Sequence, residues 1–162
     1  MAVLSPAPTE PLPFHSTPHA RPSTAAGDGS IRPRTSGGAT VLIAEDHEDS
    51  RDALRTLLEA FGYQVRVAGN GFEAVADARA HHPDLILMDM MMPGMDGLEA
   101  TRTLRADPGF PRIPIVAVTA MEGARERVLQ AGCDDWVAKP IDIRGFLARL
   151  PAWLDSARTG GE

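Results

Sequence analysis

The chain is short of several things, and each shortage closes off a class of answers. There is one cysteine in 162 residues, Cys133, so no internal disulfide can form. That usage fits a reducing cytoplasm, with Cys133 a small buried hydrophobe. No run is long and apolar enough to cross a membrane, and the N-terminus lacks the apolar core of a signal peptide. Positive charge is outnumbered, with 16 Lys and Arg against 22 Asp and Glu. The net charge is −6, which argues against a nucleic-acid surface and fits a site that gathers a cation. Lysine is nearly absent: Lys139 stands alone against fifteen arginines. Either that is chance, or one site needs a compact ammonium on a flexible stem and cannot use a flat guanidinium.

Apolar periodicity is missing from residues 1–38, which hold seven of the fourteen prolines. Such a segment cannot bury enough surface to offset its ordering entropy, so it reads as a disordered arm. Three arginines against two acids give the arm +1, leaving −7 on the rest. Residues 39–157 suffice for one hydrophobic core, and 158–162 read as a short tail. No room is left for a second domain, so no DNA-binding output domain is expected.

What the chain does have is centred on Leu85–Gly97, LILMDMMMPGMDG. Four apolar residues end abruptly in Asp89, and Pro93, Gly94 and Gly97 then force the backbone out of regular structure. This fits a strand buried on both faces, with Asp89 at its carboxyl end. Taken alone, such an Asp more often just caps a turn. The rest of the chain changes that.

Thr40–Ala44 reads as a first strand, followed by Glu45, Asp46 and His47. The spacing of Leu54, Leu57, Leu58 and Phe61 predicts an amphipathic helix closed by Gly62. Gln64–Ala68 is a second strand. Asn70 and Glu73 resemble a capping box opening a second helix, with Phe72, Val75 and Ala76 inward. Leu98, Thr101 and Leu104 mark a third helix, and Ile115–Val118 a fourth strand ending at Thr119. A short fourth helix is expected over Gly123–Ala131, and a fifth strand over Trp136–Ala138, ending at Lys139 and Pro140. Ile143, Phe146, Leu147 and Leu150 predict a fifth helix, kinked or interrupted at Pro151. Five strands alternating with five helices call for a parallel sheet covered on both faces, in the doubly wound, flavodoxin-like order 2-1-3-4-5.

That order brings the polar strand ends together. Strands one and three become neighbours about 4.8 Å apart, so Glu45, Asp46, Asp89, Thr119 and Lys139 face one shallow pocket. Three carboxylates in one place need a counter-charge, and a hard divalent cation with open positions, Mg²⁺, supplies it. A carboxylate beside Mg²⁺ can attack phosphorus to form an acyl phosphate. The cation, the Thr119 hydroxyl and the Lys139 ammonium then each take one phosphoryl oxygen.

Four segments in order, VLIAED, MDMMMPGMDG, VAVTA and GCDDWVAKP, resemble the receiver domain of two-component response regulators over about Thr40–Leu154. The resemblance implies that Asp89 accepts a phosphoryl group from a histidine of a sensor kinase or histidine phosphotransfer protein. It implies that Asp46 and Asp89 ligate Mg²⁺ directly, Glu45 through water, and the Met91 backbone carbonyl as the third protein ligand. It further implies a cis Lys139–Pro140 peptide and a phosphorylation-driven movement of Thr119 followed by the aromatic residue at 136. The output is then binding to a downstream protein or phosphate relay, not catalysis on another substrate. The surface of the fourth helix, fifth strand and fifth helix, with Arg125, Arg127, Arg144 and Arg149, is the expected reporter of the state.

Some positions depart from the family. Glu45 stands where Asp is usual, and its longer reach still serves a metal-bound water. Trp136 replaces the usual Tyr or Phe, so it either switches with a shifted balance or simply packs at a strand edge. Met91 and Met121 occupy the two positions that influence attack by water, and neither side chain orients a water, so a long-lived acyl phosphate is expected. Met90–Met92 are gap-fillers or a soft partner contact. Ala120 is small enough to leave the pocket open to a donor, and His47 reads as a solvated loop residue. An aspartyl-nucleophile phosphatase would carry an acid where Met91 stands. An FMN carrier would need a phosphate cradle where Glu45 and Asp46 would repel one.

Overall fold

The computed structural model describes residues 38–159. The arm expected over 1–38 lies outside them except for Gly38. The tail expected over 158–162 is outside from residue 160, while 158 and 159 continue the last helix. The elements are β1 (Thr40–Ala44), α1 (Glu48–Ala60), β2 (Gln64–Ala68), α2 (Gly71–His81), β3 (Leu85–Asp89), α3 (Gly97–Ala106), β4 (Ile115–Thr119), α4 (Arg125–Ala131), β5 (Asp135–Ala138) and α5 (Ile143–Thr159). All strand pairs are parallel and the order is β2-β1-β3-β4-β5, as the alternation predicts.

Alternation of side chains along each strand divides the core into two layers. Val41 and Ile43 of β1 point with Leu85 and Leu87 of β3 toward Leu58 of α1 and Phe146, Leu150 and Trp153 of α5. Leu42 and Ala44 point with Ile86 and Met88 toward Ala74 and Ala78 of α2, Leu98 and Leu104 of α3 and Val128 of α4. The central strands β3 and β4 are buried at every position, which is why they read as unbroken apolar runs.

Local chemistry fixes where the helices begin. The Asn70 side chain accepts from the Glu73 amide at 2.9 Å, and the Glu73 carboxylate accepts from the Gly69 amide at 2.7 Å. The Asp96 side chain caps α3 through the Glu99 amide at 2.8 Å. Gly97 lies so close to β3 that a Cβ there would collide with the Asp89 carbonyl oxygen, so only glycine lets α3 start against the strand end.

Five expectations need correction. In α2 the inward face is Ala74, Val75 and Ala78. Phe72 is 62% exposed and Ala76 also faces out, because Phe72 lies in the first turn beside the β3–α3 loop, above the sheet edge. In α1 Leu54, Leu57 and Leu58 pack on the core as the spacing predicts, but Phe61 is exposed at the helix end. The fourth helix starts at Arg125, because Gly123 takes φ +70°, outside helical geometry. The fifth helix runs through Pro151 without a break. Burial of Leu150 and Trp153 on either side offsets the hydrogen bond that proline removes. The fifth strand also begins one residue earlier, at Asp135.

Candidate functional site

The strand register decides which polar residues meet. Ala44 pairs with Met88, so Glu45 and Asp89 leave neighbouring strands at the same level. Asp89 pairs with Val118 and Thr119 with Ala138, so Thr119 and Lys139 each follow one residue further along the edge. The order reverses between β1 and β3, the switch point where ligands of open α/β sheets bind.

Glu45 and Asp89 are 5% and 4% exposed, Thr119 1%, and Asp46 is half-buried. One carboxylate oxygen from each of Glu45, Asp46 and Asp89 lies within 4.8 Å of the others. Lys139 donates to Glu45 Oε2 at 2.6 Å and to Asp89 Oδ2 at 3.2 Å. A small cavity beside these charges is lined by Ile43, Leu54, Leu87 and Val118 as well as by Glu45, Asp89 and Lys139. Glu45 Oε1 also accepts from the His47 amide at 3.1 Å, and Asp89 Oδ1 from the Met91 amide at 3.0 Å. The Thr119 hydroxyl oxygen accepts from the Met121 amide at 3.1 Å. The peptide between Lys139 and Pro140 is cis.

The acids titrate in opposite directions. Burial works against ionisation of Glu45, but the Lys139 and His47 hydrogen bonds outweigh it and hold its carboxyl below the ordinary range. Burial pushes the Asp89 carboxyl up, with Glu45 adding to the rise and the Met91 amide and Lys139 only partly opposing it. Burial also disfavours the Lys139 charge, yet its two carboxylate partners hold the ammonium above its usual value. Asp46 Oδ1 is different: it is buried and has no hydrogen-bond partner among the described residues. A buried acceptor left bare is costly unless something positive meets it. The donor set is all oxygen and includes that bare atom, which suits a hard divalent cation.

The neighbouring residues sort themselves. Met90 and Met92 are buried in the layer under α2–α4, whereas Met91 is 63% exposed. The first two are therefore core fillers, and a cleft lined by Asp46, Met90–Pro93 and Asp96 opens beside the acids. Trp136, opposite Ala117 in the β4–β5 register, is half-buried against the same layer. His47 is exposed. Arg125 and Arg144 are solvated, but Arg127 reaches Met121 Sδ at 3.4 Å. Arg149 is tied down more firmly. It pairs with Asp135, donates to the Trp136 carbonyl at 3.2 Å, and stacks over Trp153, whose indole also donates to Asp135 at 2.8 Å. Sequence reading did not find that cluster, nor Arg51, which donates to the Glu45 carbonyl at 3.3 Å. Neither has a local spacing signature.

Comparison with known proteins agrees with this geometry. The family model of the response regulator receiver domain matches residues 41–151. The chain is 42% identical over 120 residues to the polar-differentiation response regulator DivK of Brucella ovis, covering 73% of this chain and 98% of the relative. It resembles the receiver domain of the sensor histidine kinase PA1611 from Pseudomonas aeruginosa PAO1, with TM-score 0.67 and 37% identity over 73% of this chain and 98% of that one. That structure holds a magnesium ion in its active-site cleft. It also resembles the receiver domain of Saccharomyces cerevisiae Ssk1, crystallised with the histidine phosphotransfer protein Ypd1. There the TM-score is 0.65 and the identity 26%, over 72% of this chain and 88% of that one.

Proposed function

The chain belongs to the response regulator receiver domains of two-component systems, and from that premise we propose that Asp89 is its phosphoacceptor. The donor is a phosphohistidine on a sensor kinase or histidine phosphotransfer protein, the kind of partner seen with the Ssk1 receiver domain. The observation that carries the reading is the convergence of Glu45, Asp46 and Asp89 with the chain's single lysine at the reversal point of the sheet.

An Asp89 carboxylate oxygen attacks phosphorus as the anion. A P–O bond forms, the P–N bond to imidazole breaks, and the departing nitrogen takes a proton from solvent. Lys139, already 3.2 Å from Asp89 Oδ2, holds one phosphoryl oxygen, and the Thr119 hydroxyl donates to a second. Asp46, Asp89 and the Met91 carbonyl would hold Mg²⁺, with Glu45 behind a water. One carboxylate oxygen from each of the three acids lies within 4.8 Å of the others, near enough for the group to serve one small cation. When bound, the ion would neutralise charge on the carboxylates and on the phosphoryl oxygens.

The hydrogen bond from the Met121 amide to Thr119 ties the hydroxyl to the β4–α4 loop. Drawing Thr119 toward a phosphoryl group moves that loop and frees space for Trp136. The face made by α4, β5 and α5 then reports the state to a downstream protein. The only chemistry is gain and loss of the chain's own phosphoryl group, and the setting is the cytoplasm.

Incubation with acetyl phosphate and Mg²⁺, read by intact mass, tests this. The expected result is addition of one phosphoryl group to wild type, none to Asp89→Asn, and none when the cation is chelated. Equal addition to wild type and Asp89→Asn would overturn it.

A further inference from the structure

Among the described residues two buried side-chain polar atoms lack a hydrogen-bond partner, and both belong to the segment that follows β1: Asp46 Oδ1 and Arg51 Nε. The first belongs to a residue of the acidic cluster. The second belongs to a guanidinium that reaches back six residues from α1 to donate to the Glu45 carbonyl at 3.3 Å. The same Nη1 lies 3.3 Å from where a Cβ on Gly69 would sit, and Glu73 Oε2 lies 3.4 Å from that point. Arg51 therefore holds the loop after β1 and passes close to Gly69 in the loop after β2.

The consequences fall on Asp46. The Glu45 amide is fixed on the Ala68 carbonyl at 3.0 Å, and its side chain is fixed on the His47 amide and Lys139. Its carbonyl, the last group before Asp46, is held by Arg51. Asp46 itself makes no hydrogen bond through Oδ1, so its aim depends on the backbone that precedes it. A planar guanidinium suits this task, since its fork of donors is held in a fixed geometry on a long stem.

We propose that Arg51 is a positioning residue for the cation pocket: by holding the Glu45 carbonyl from α1, packed beside Gly69, it aims Asp46 at the ion and so raises Mg²⁺ affinity. This rests on the reading of the pocket as a Mg²⁺ site. Electrostatics alone predicts the opposite sign, because a positive charge near the carboxylates repels a cation. The sign of the effect therefore separates a clamp from a bystander charge.

The test is Mg²⁺ titration by calorimetry on the full chain, comparing wild type, Arg51→Gln and Arg51→Lys, with a metal-free thermal melt on each. The clamp predicts a Kd about tenfold higher for Arg51→Gln, in the range seen when partners behind metal ligands are removed. Arg51→Lys keeps the charge and one donor and falls between the two. A folded Arg51→Gln with an unchanged or lower Kd overturns the proposal while leaving the site intact. Should Arg51→Gln fail to fold, an Arg51→Lys Kd equal to that of wild type overturns it. A wild type that binds no Mg²⁺ overturns both this inference and the reading it rests on.

Discussion

Lys139 sits closer to Glu45 than to Asp89: its ammonium is 2.6 Å from Glu45 Oε2 and 3.2 Å from Asp89 Oδ2. Glu45, one methylene longer than an aspartate, is the nearer of its two partners. The pair couples β1 to the end of β5 across the sheet, and the ammonium remains within reach of the acceptor carboxylate.

Removing that ammonium leaves two buried carboxylates facing each other. Lys139→Met is expected to lose about 2 kcal/mol of stability at neutral pH in the absence of Mg²⁺, less than a fully buried pair would cost because Lys139 keeps some solvent contact. Urea unfolding with and without Mg²⁺ checks this, and added cation should recover part of the loss.

Glu45→Gln should also destabilise, with a defined pH dependence. The Glu45 carboxyl is held below its ordinary 4.5, so its contribution is fully present above that value. It is lost as pH falls through the lowered folded-state value. Thermal melts of wild type and Glu45→Gln should therefore differ near neutrality and converge on strong acidification.

Asp89 behaves in the reverse sense. Its carboxyl is pushed up by burial, so its ionised form costs stability above the raised value, and the cost fades as pH falls through it. Asp89→Asn is expected to be more thermostable than wild type at neutral pH without metal, with the gain shrinking in mild acid. Mg²⁺ should stabilise wild type and not the variant.

Pro151 lies inside α5 between two buried residues, Leu150 and Trp153. Pro151→Ala restores one helical hydrogen bond and is expected to gain about 1–3 kcal/mol. A chemical-denaturation midpoint that does not rise would show that the ring contributes packing of similar size.

The exposed Met91 and the Arg127-bound Met121 offer nothing to orient an attacking water. The acyl phosphate should persist for minutes or longer in purified protein with Mg²⁺, and Met91→Asn should shorten it. Trp136, half-buried, should change fluorescence on treatment with beryllofluoride in a Trp153→Phe background. A flat response would mean that it only packs.

The sheet and the acidic pocket were legible because both rest on strand ends. Short apolar runs closed by Glu45, Asp89, Thr119 and Lys139 state a strand and its polar end in adjacent letters, and parallel topology then brings those ends together. Orientation in α2 was not legible. Alanine dominates that helix, so the pattern does not say which side is inward, and the large Phe72 drew the prediction to the wrong face. Gly123 could have begun a helix or preceded one, and only its positive φ decides. Arg51, and the tie of Asp135 to Arg149 and Trp153, depend on spacings of six, fourteen and eighteen residues. No periodicity marks such pairs, because the fold alone makes them neighbours.

The central claim is that Asp89 is esterified within a niche shared by Asp46, Thr119 and Lys139. A crystal structure with Mg²⁺ and beryllofluoride tests it most directly. The account predicts beryllium bonded to an Asp89 carboxylate oxygen, its fluorines contacting Thr119 Oγ1 and Lys139 Nζ, and Mg²⁺ ligated by Asp46. An adduct on another side chain, or a cation that leaves Asp46 Oδ1 without a partner, would contradict it.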